Sequence, residues 1–186
     1  MKRAFDIAAA LAGLVILSPG LLLIGIAVRL ESPGPALHWS RRVGRGNRIY
    51  RMPKFRTMRM GAPDVATHLL GQPQAWITPL GRLLRGASLD ELPQLWSVLI
   101  GDMSVVGPRP ALFNQDDLVA LRTQAGVDAL RPGITGWAQV NGRDELPIAV
   151  KAELDRDYLQ KMSFGFDLRI IALTAAQVLV RRGVAH

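Results

Sequence analysis

The sequence predicts a mainly helical α/β protein with a small sheet and long irregular loops, set behind an apolar N-terminal helix–break–helix. Three observations carry this. An uncharged run of 22 residues, Ile7 to Val28, follows Lys2, Arg3 and Asp6. Strand-like patterns are confined to two short segments on either side of residue 45, whereas helical patterns recur through the rest. Between the helices lie stretches studded with Gly and Pro, which interrupt regular structure. At 186 residues the chain has room for one domain with a core and is short for two.

A straight helix over Ile7–Val28 would reach about 33 Å, enough to cross a hydrocarbon core of about 30 Å. Ser18-Pro19-Gly20 stands in the middle of that run. Pro19 has no N–H for the Val15 carbonyl and its ring clashes with it, at about 3 kcal/mol in a helix interior. The Ser18 hydroxyl is at hand for the freed carbonyl. Lys2 and Arg3 flank one end and Arg29 the other, and the positive-inside tendency asks both to stay on the cytoplasmic side. The leading expectation is therefore a re-entrant membrane hairpin over 1–30 that breaks at Ser18 and Pro19. The first arm, Ile7 to Leu17, would be about 16 Å long, half a bilayer. A kinked single span and a soluble core helix are the alternatives. No signal-peptide cleavage pattern follows the apolar run.

The remainder, 31–186, begins with the turn "ESPGP" (31–35). "ALHWSRR" and "NRIYRMPKF" read as a hairpin around "VGRGN". Residues 61–78, with Pro63, Gly71 and Pro73, read as a loop. In "SLDELPQLWSVLIG" (88–101), Leu92, Leu95, Trp96, Leu99 and Ile100 recur at helical spacing, which predicts an apolar face. "GDMSVVGPRP" (101–110) and "RPGITGWAQVNGR" (131–143) are expected to be irregular. Helices are expected at about 114–125, 147–161 and 167–182. The last has Leu168, Ile171, Ala172, Ala175, Val178 and Leu179 on one side and Arg181-Arg182 at its end, which suits an interfacial membrane helix or one packed on the core.

The formal net charge is +8, and eight basic residues with no acid lie between Arg41 and Arg59. Such a patch favours nucleic acid, anionic lipid or a phosphorylated substrate, unless it is only a solvated face. The chain has no cysteine, which excludes disulfides, thiolate zinc sites and cysteine nucleophiles. His38, His68 and His186 show no ligand spacing. Walker, G-x-G-x-x-G, G-x-S-x-G and H-E-x-x-H patterns are all missing. "RIYRMPKFR" interleaves aromatics with cations as single-strand binders do. A nucleic-acid-binding protein and a non-catalytic membrane adaptor are accordingly the rivals to an enzyme.

The carboxylates Asp90 and Glu91 favour the enzyme. Ser88 and Glu91 have capping-box spacing, and Asp90 as the cap would place Pro93 where no N–H is needed. Either arrangement puts both acids at a helix N-terminus, where phosphate is also favoured. Capping would explain them by itself. Their company adds more: Arg85 five residues upstream, Arg109 between two prolines, Lys54, Arg56 and Arg59 in "KFRTMR", and Arg131 in "RPGITG". A stiffened guanidinium suits bidentate phosphate binding. Carboxylates among cations suggest Mg²⁺ with a diphosphate.

Together, "KRAFD…SPG", "KFRTM", "SLDELPQLW", "GDMSVVGPRP" and "RPGITGWAQVNGR", in this order from Lys2 to Arg182, resemble the bacterial sugar transferases, the monotopic phosphoglycosyl transferases. The resemblance implies an α/β fold with a small sheet, on the cytoplasmic face of a bacterial inner membrane. It implies transfer of a sugar-1-phosphate from a UDP-sugar to polyprenyl (undecaprenyl) phosphate with release of UMP, the first membrane step of glycan assembly. On the matching positions, Asp90 would be the nucleophile that forms a phosphosugar-aspartyl intermediate, Glu91 its acid/base partner and Arg85 a phosphate ligand. Ser18-Pro19 would be the re-entrant break, and Mg²⁺ the cofactor, with Asp90 as a metal contact. Gly86 and Ala87 stand where many members carry Lys and Thr, and Ser97 stands for a frequent Asn. Residues 61–78 match least and are expected to hold sugar or nucleotide specificity.

Overall fold

The computed structural model describes residues 1–63, 73–142 and 146–180. Lys2–Glu31 form one helix, α1, with Pro19 inside it. Where the sequence suggested two helices about a break, helical structure runs through the proline. The Ser18 hydroxyl donates to the Val15 carbonyl (2.8 Å), the group Pro19 leaves without a donor. By length and composition α1 could cross a membrane. Its middle is bare, with Val15, Ile16, Leu22 and Leu23 all exposed. Its two ends are not. Ala10 packs in a cluster with Met52, Val98 and Met103, while Val28 packs with Phe55 and Leu84.

Polar bonds fix the N-terminal end more tightly still. Lys2 Nζ reaches the Val106 carbonyl (2.9 Å), Tyr158 Oη (3.1 Å) and Asp167 Oδ2 (2.6 Å). Arg3 donates to the Val98 and Leu99 carbonyls. The buried Asp6 carboxylate accepts from Ser104 Oγ and the Val105 amide (2.9 Å).

The expected hairpin forms from β1 (Leu37–Val43) and β2 (Ile49–Phe55), antiparallel from Leu37↔Phe55 to Val43↔Ile49. Its turn needs two left-handed residues, Gly46 (φ 63°) and Asn47 (φ 58°). The segment read as a loop contains a single helical turn, α2 (Pro73–Trp76), and residues 64–72 within it lie outside the described residues. Next comes a helix the sequence reading missed, α3 (Pro79–Gly86).

After α3 the chain winds as a 3₁₀ segment, Leu89–Gln94, before α4 (Leu95–Ile100). Pro93 accounts for the delay. It has no N–H to give, so the longer-reaching α-helical bonds begin only after it.

The two segments expected to be irregular each hold a short strand, β3 (Ser104–Val106) and β4 (Gly133–Thr135), paired in parallel. β3 lies between Gly101 and Gly107, and β4 begins at Gly133, just after Pro132. Gly107, Gly133 and Gly136 make the approach possible, since a Cβ on Gly133 or Gly136 would overlap the Gly107 backbone. One helical turn follows, α6 (Trp137–Val140), after α5 (Asp116–Gln124) earlier in the chain. Two longer helices, α7 (Ile148–Lys161) and α8 (Phe164–Val180), close the described chain. Arg143, Arg181 and Arg182 lie outside the described residues.

Two helices bury only part of their predicted apolar faces, Leu95 and Leu99 in α4 and Ile171 in α8. In α4, Ser97 and Val98 are fully buried, while Trp96 is 49% and Ile100 53% exposed. In α8, Asp167 and Ile170 are buried, Thr174 bonds Thr135 and Gln177 bonds the Val140 carbonyl, leaving Leu168, Leu173 and Val178 exposed. A row of exposed apolar side chains is the pattern of a surface that meets something other than water.

Candidate active site

Four segments bring charge to one place: β2 supplies Lys54, α3 supplies Arg85, the 3₁₀ segment supplies Asp90 and Glu91, and the loop after β3 supplies Arg109. The turn that joins α3 to the acids is strained. Ser88 adopts a left-handed conformation (φ 56°), unusual for a residue with a side chain and costing about 1–2 kcal/mol. Its side chain makes no cap, so the expected capping box is not formed, and α4 starts too late for Asp90 to cap it. The acids occupy the first turn of the 3₁₀ segment instead.

The two carboxylates stand in different states. Glu91 Oε1 accepts from Lys54 Nζ and Arg109 Nη2, each at 3.1 Å. Burial alone pushes Glu91 up, but the charges of Arg109 and Lys54 and their hydrogen bonds outweigh it and hold the carboxyl well below the ordinary range. Asp90 is 8% exposed and accepts no hydrogen bond among the described residues. Its burial, with the adjacent Glu91 charge, raises it above the ordinary range, and Lys54, Arg85 and Arg109 only partly oppose the rise. Burial also lowers the Lys54 ammonium, against the pull of Glu91. Arg85 is held by its Nε, which donates to Thr57 Oγ1 (2.8 Å).

The expected site residues therefore divide. Lys54, Arg85, Asp90, Glu91 and Arg109 come together. Arg56 does not join them: it is buried under the C-terminal end of α1 and donates to the Pro33 (2.9 Å) and Val28 (3.4 Å) carbonyls and to Ser32 Oγ (2.9 Å). Arg131 donates through Nε to the Gly101 carbonyl (2.9 Å), at the end of α4 remote from the acids. Ser18 and Pro19 lie in the bare middle of α1.

Sequence reasoning missed α3 as the carrier of Arg85, although Thr78-Pro79 is a start signal. Thr78 Oγ1 accepts from the Gly81 amide (2.9 Å), and proline is favoured at the first helical position. It also missed Thr57, inside "KFRTM", as the residue that orients Arg85.

Among the described residues no group of three or more His, Cys, Asp and Glu side chains could hold a metal by itself. Mg²⁺ does not need such a cage, because it commonly takes one or two carboxylates with substrate phosphates and water. The Asp90 carboxylate, which accepts no hydrogen bond among the described residues, fits that role, whereas Glu91 is already engaged by two cations.

The model of the bacterial sugar transferase family matches residues 1–181. A protein of Bacillus subtilis, the uncharacterized sugar transferase EpsL, is 41% identical over 99% of this chain and 90% of its own length. The UDP-glucose:undecaprenyl-phosphate glucose-1-phosphate transferase of Caulobacter vibrioides is 42% identical over 96% of this chain and 69% of that protein. An enzyme of the same name from Escherichia coli is 38% identical over 98% of this chain, which spans 41% of that longer protein. With the matched residues running from the apolar N-terminal helix through the carboxylate pair, the chain belongs to the bacterial sugar transferase family.

Proposed function

We propose that the protein is a phosphoglycosyl transferase that moves a sugar-1-phosphate from a UDP-sugar to a polyprenyl phosphate and releases UMP. The observation that carries the reading is the unequal carboxylate pair, Asp90 desolvated and, among the described residues, without a hydrogen-bond donor, beside a Glu91 that gathers Lys54 and Arg109. A carboxylate without donors is suited to attack. One Asp90 oxygen attacks the phosphorus that bears the sugar. The bond from that phosphorus to the bridging oxygen breaks, and its electron pair leaves with UMP. An oxygen of the polyprenyl phosphate then forms a new bond to the same phosphorus, the P–O bond of the aspartyl acyl phosphate breaks, and its electron pair returns to the carboxylate.

Lys54, Arg85 and Arg109 offset the repulsion between an anionic nucleophile and a diphosphate, so catalysis is largely positioning and charge stabilisation. Mg²⁺, held by Asp90 and the diphosphate oxygens, would add to that neutralisation. Glu91 is too firmly ionised by its two cations to give a proton as it stands. A diphosphate that draws Lys54 and Arg109 toward itself raises the proton affinity of Glu91, and in this way the acid/base role comes with substrate.

A monotopic placement on the cytoplasmic face of a bacterial inner membrane is supported by three features. α1, α4 and α8 each leave apolar side chains exposed, and α4 packs beside α1. Lys2, Arg3 and Arg29 put positive charge at both ends of α1. Ala10 and Val28 would lie about 27 Å apart on a straight helix. Yet they join clusters that draw on Met52 and Phe55, about 10 Å apart along one strand. A bend at Ser18-Pro19 reconciles the two spacings and returns both ends to one side.

UMP release tests the reaction. Detergent-solubilised protein with Mg²⁺, undecaprenyl phosphate and a panel of UDP-sugars should release UMP in a lipid-dependent way. Asp90→Asn should release none; equal release by the variant removes Asp90 as nucleophile.

A further inference from the structure

A buried ion pair lies behind the site. Arg122 on α5 is 9% and Asp155 on α7 is 1% exposed. Arg122 Nε and Nη2 both donate to Asp155 Oδ2 (2.9 and 2.6 Å), and Nη1 donates to the backbone carbonyl of Arg109 (2.8 Å). Pairs of this kind are poor stabilisers, because desolvating both charges offsets their attraction, and apolar residues of similar volume often serve stability as well or better. The third bond gives the pair another consequence. It fixes the main chain of the residue whose side chain donates to Glu91 Oε1 (3.1 Å). The neighbours of Arg109 are held from other directions. Arg42 Nη1 donates to the Pro110 carbonyl (3.1 Å), and the Gly107 amide donates to Thr135 (2.9 Å). Arg122 alone among these reaches the Arg109 carbonyl, and Asp155 fixes the plane of its guanidinium.

We propose that Arg122 and Asp155 are positioning residues that hold the Arg109 main chain, and through it the Arg109 guanidinium, against Glu91 and the incoming diphosphate. The proposal rests on the reaction assigned above, and its effect on that reaction is indirect: neither residue touches substrate. Loss of the anchor displaces a catalytic cation by a fraction of a turn without unfolding the domain.

The test compares four proteins in the UMP-release assay: wild type, Arg122→Met with Asp155→Leu, Arg109→Ala, and the three changes together. The apolar pair variant should melt within a few degrees of wild type yet turn over roughly 10- to 100-fold more slowly. Added to Arg109→Ala, the same pair change should cost less than about twofold, because the group it positions is gone. Unchanged turnover in the pair variant, or the same fold loss in the Arg109→Ala background, overturns the proposal. Should the pair variant fail to fold, Arg122→Lys replaces it, since one ammonium cannot serve both Asp155 and the Arg109 carbonyl, and the same outcomes apply. Amide hydrogen exchange supplies a readout independent of activity. Faster exchange confined to residues 107–112 supports the anchor, and unchanged exchange there overturns it. If wild type releases no UMP with any donor, the assigned reaction fails, and exchange alone decides whether the pair anchors Arg109.

Discussion

At the N-terminal end of α1, Lys2, Tyr158 and Asp167 bind one another, and Asp6 accepts from Ser104 Oγ and the Val105 amide. Between α3 and α4, Asp90 and Glu91 face Lys54, Arg85 and Arg109. The residue types are nearly the same and the hydrogen bonding is not. In the first cluster each Asp167 oxygen has a donor, Lys2 on one and Tyr158 on the other (2.6 Å each), and both Asp6 oxygens are engaged. Burial and the bond to Asp167 push the Tyr158 hydroxyl up, out of reach of titration. In the second, Glu91 takes two cations on a single oxygen and Asp90 takes nothing among the described residues. Complete pairing makes the first cluster a fastening between α1 and the rest of the domain. Incomplete pairing among the described residues gives the second the carboxylate proposed above as nucleophile.

The contrast can be broken by substitution. Asp90→Asn should lower UMP release by at least about 10³-fold, as loss of a nucleophile does. Its melting temperature should hold or rise, because a buried carboxylate without donors is removed. A large loss of stability would mean that Asp90 is a fastening like Asp6.

Glu91→Gln should cost roughly 10²- to 10³-fold in turnover and also lower stability, since Lys54 and Arg109 lose their shared counter-charge. The pH dependence sharpens this. Asp90 must be ionised to attack and its pKa is raised, so turnover should climb with pH above the ordinary carboxylate range of about 4. Removing the Glu91 charge removes one cause of the rise, and the acid limb should move to lower pH. The Glu91 pKa is depressed in the folded state, so its stabilisation is present above the unfolded value, about 4.3, and is lost as pH falls toward the folded one. Denaturant titrations of Glu91→Gln should show that acid-dependent part missing.

Asp6→Ala should do the reverse of Asp90→Asn. Stability should fall by about 2 kcal/mol, from lost charge-assisted bonds to Ser104 and Val105, with turnover per folded molecule within about twofold of wild type. Chemical denaturation in detergent and the same UMP assay read the two effects separately.

Much of this was legible in the sequence, and what was missed has physical causes. The hairpin, α5, α7 and α8 follow from local periodicity. The cations around Asp90 could be named in advance, but not sorted. Lys54 and Arg56 are two residues apart on β2 and the chain just beyond it, and only the packing of α1 decides that one meets Glu91 while the other closes the end of α1. Arg131 was equally plausible until its bond to Gly101 placed it at the wrong end of α4. Strands β3 and β4 are too short to register alone and exist because each meets the other. The apolar faces of α4 and α8 were read correctly as apolar. Their direction was left open, because amphipathic periodicity says that a face is apolar without saying whether protein or lipid covers it.

The most direct test is the intact mass of the protein after exposure to UDP-sugar and Mg²⁺ with no lipid acceptor present. The account predicts a gain of one phosphosugar group in wild type with stoichiometric UMP, discharged on adding polyprenyl phosphate, and no gain in Asp90→Asn. UMP release that requires the lipid from the outset, with no adduct on the wild-type protein, would contradict it.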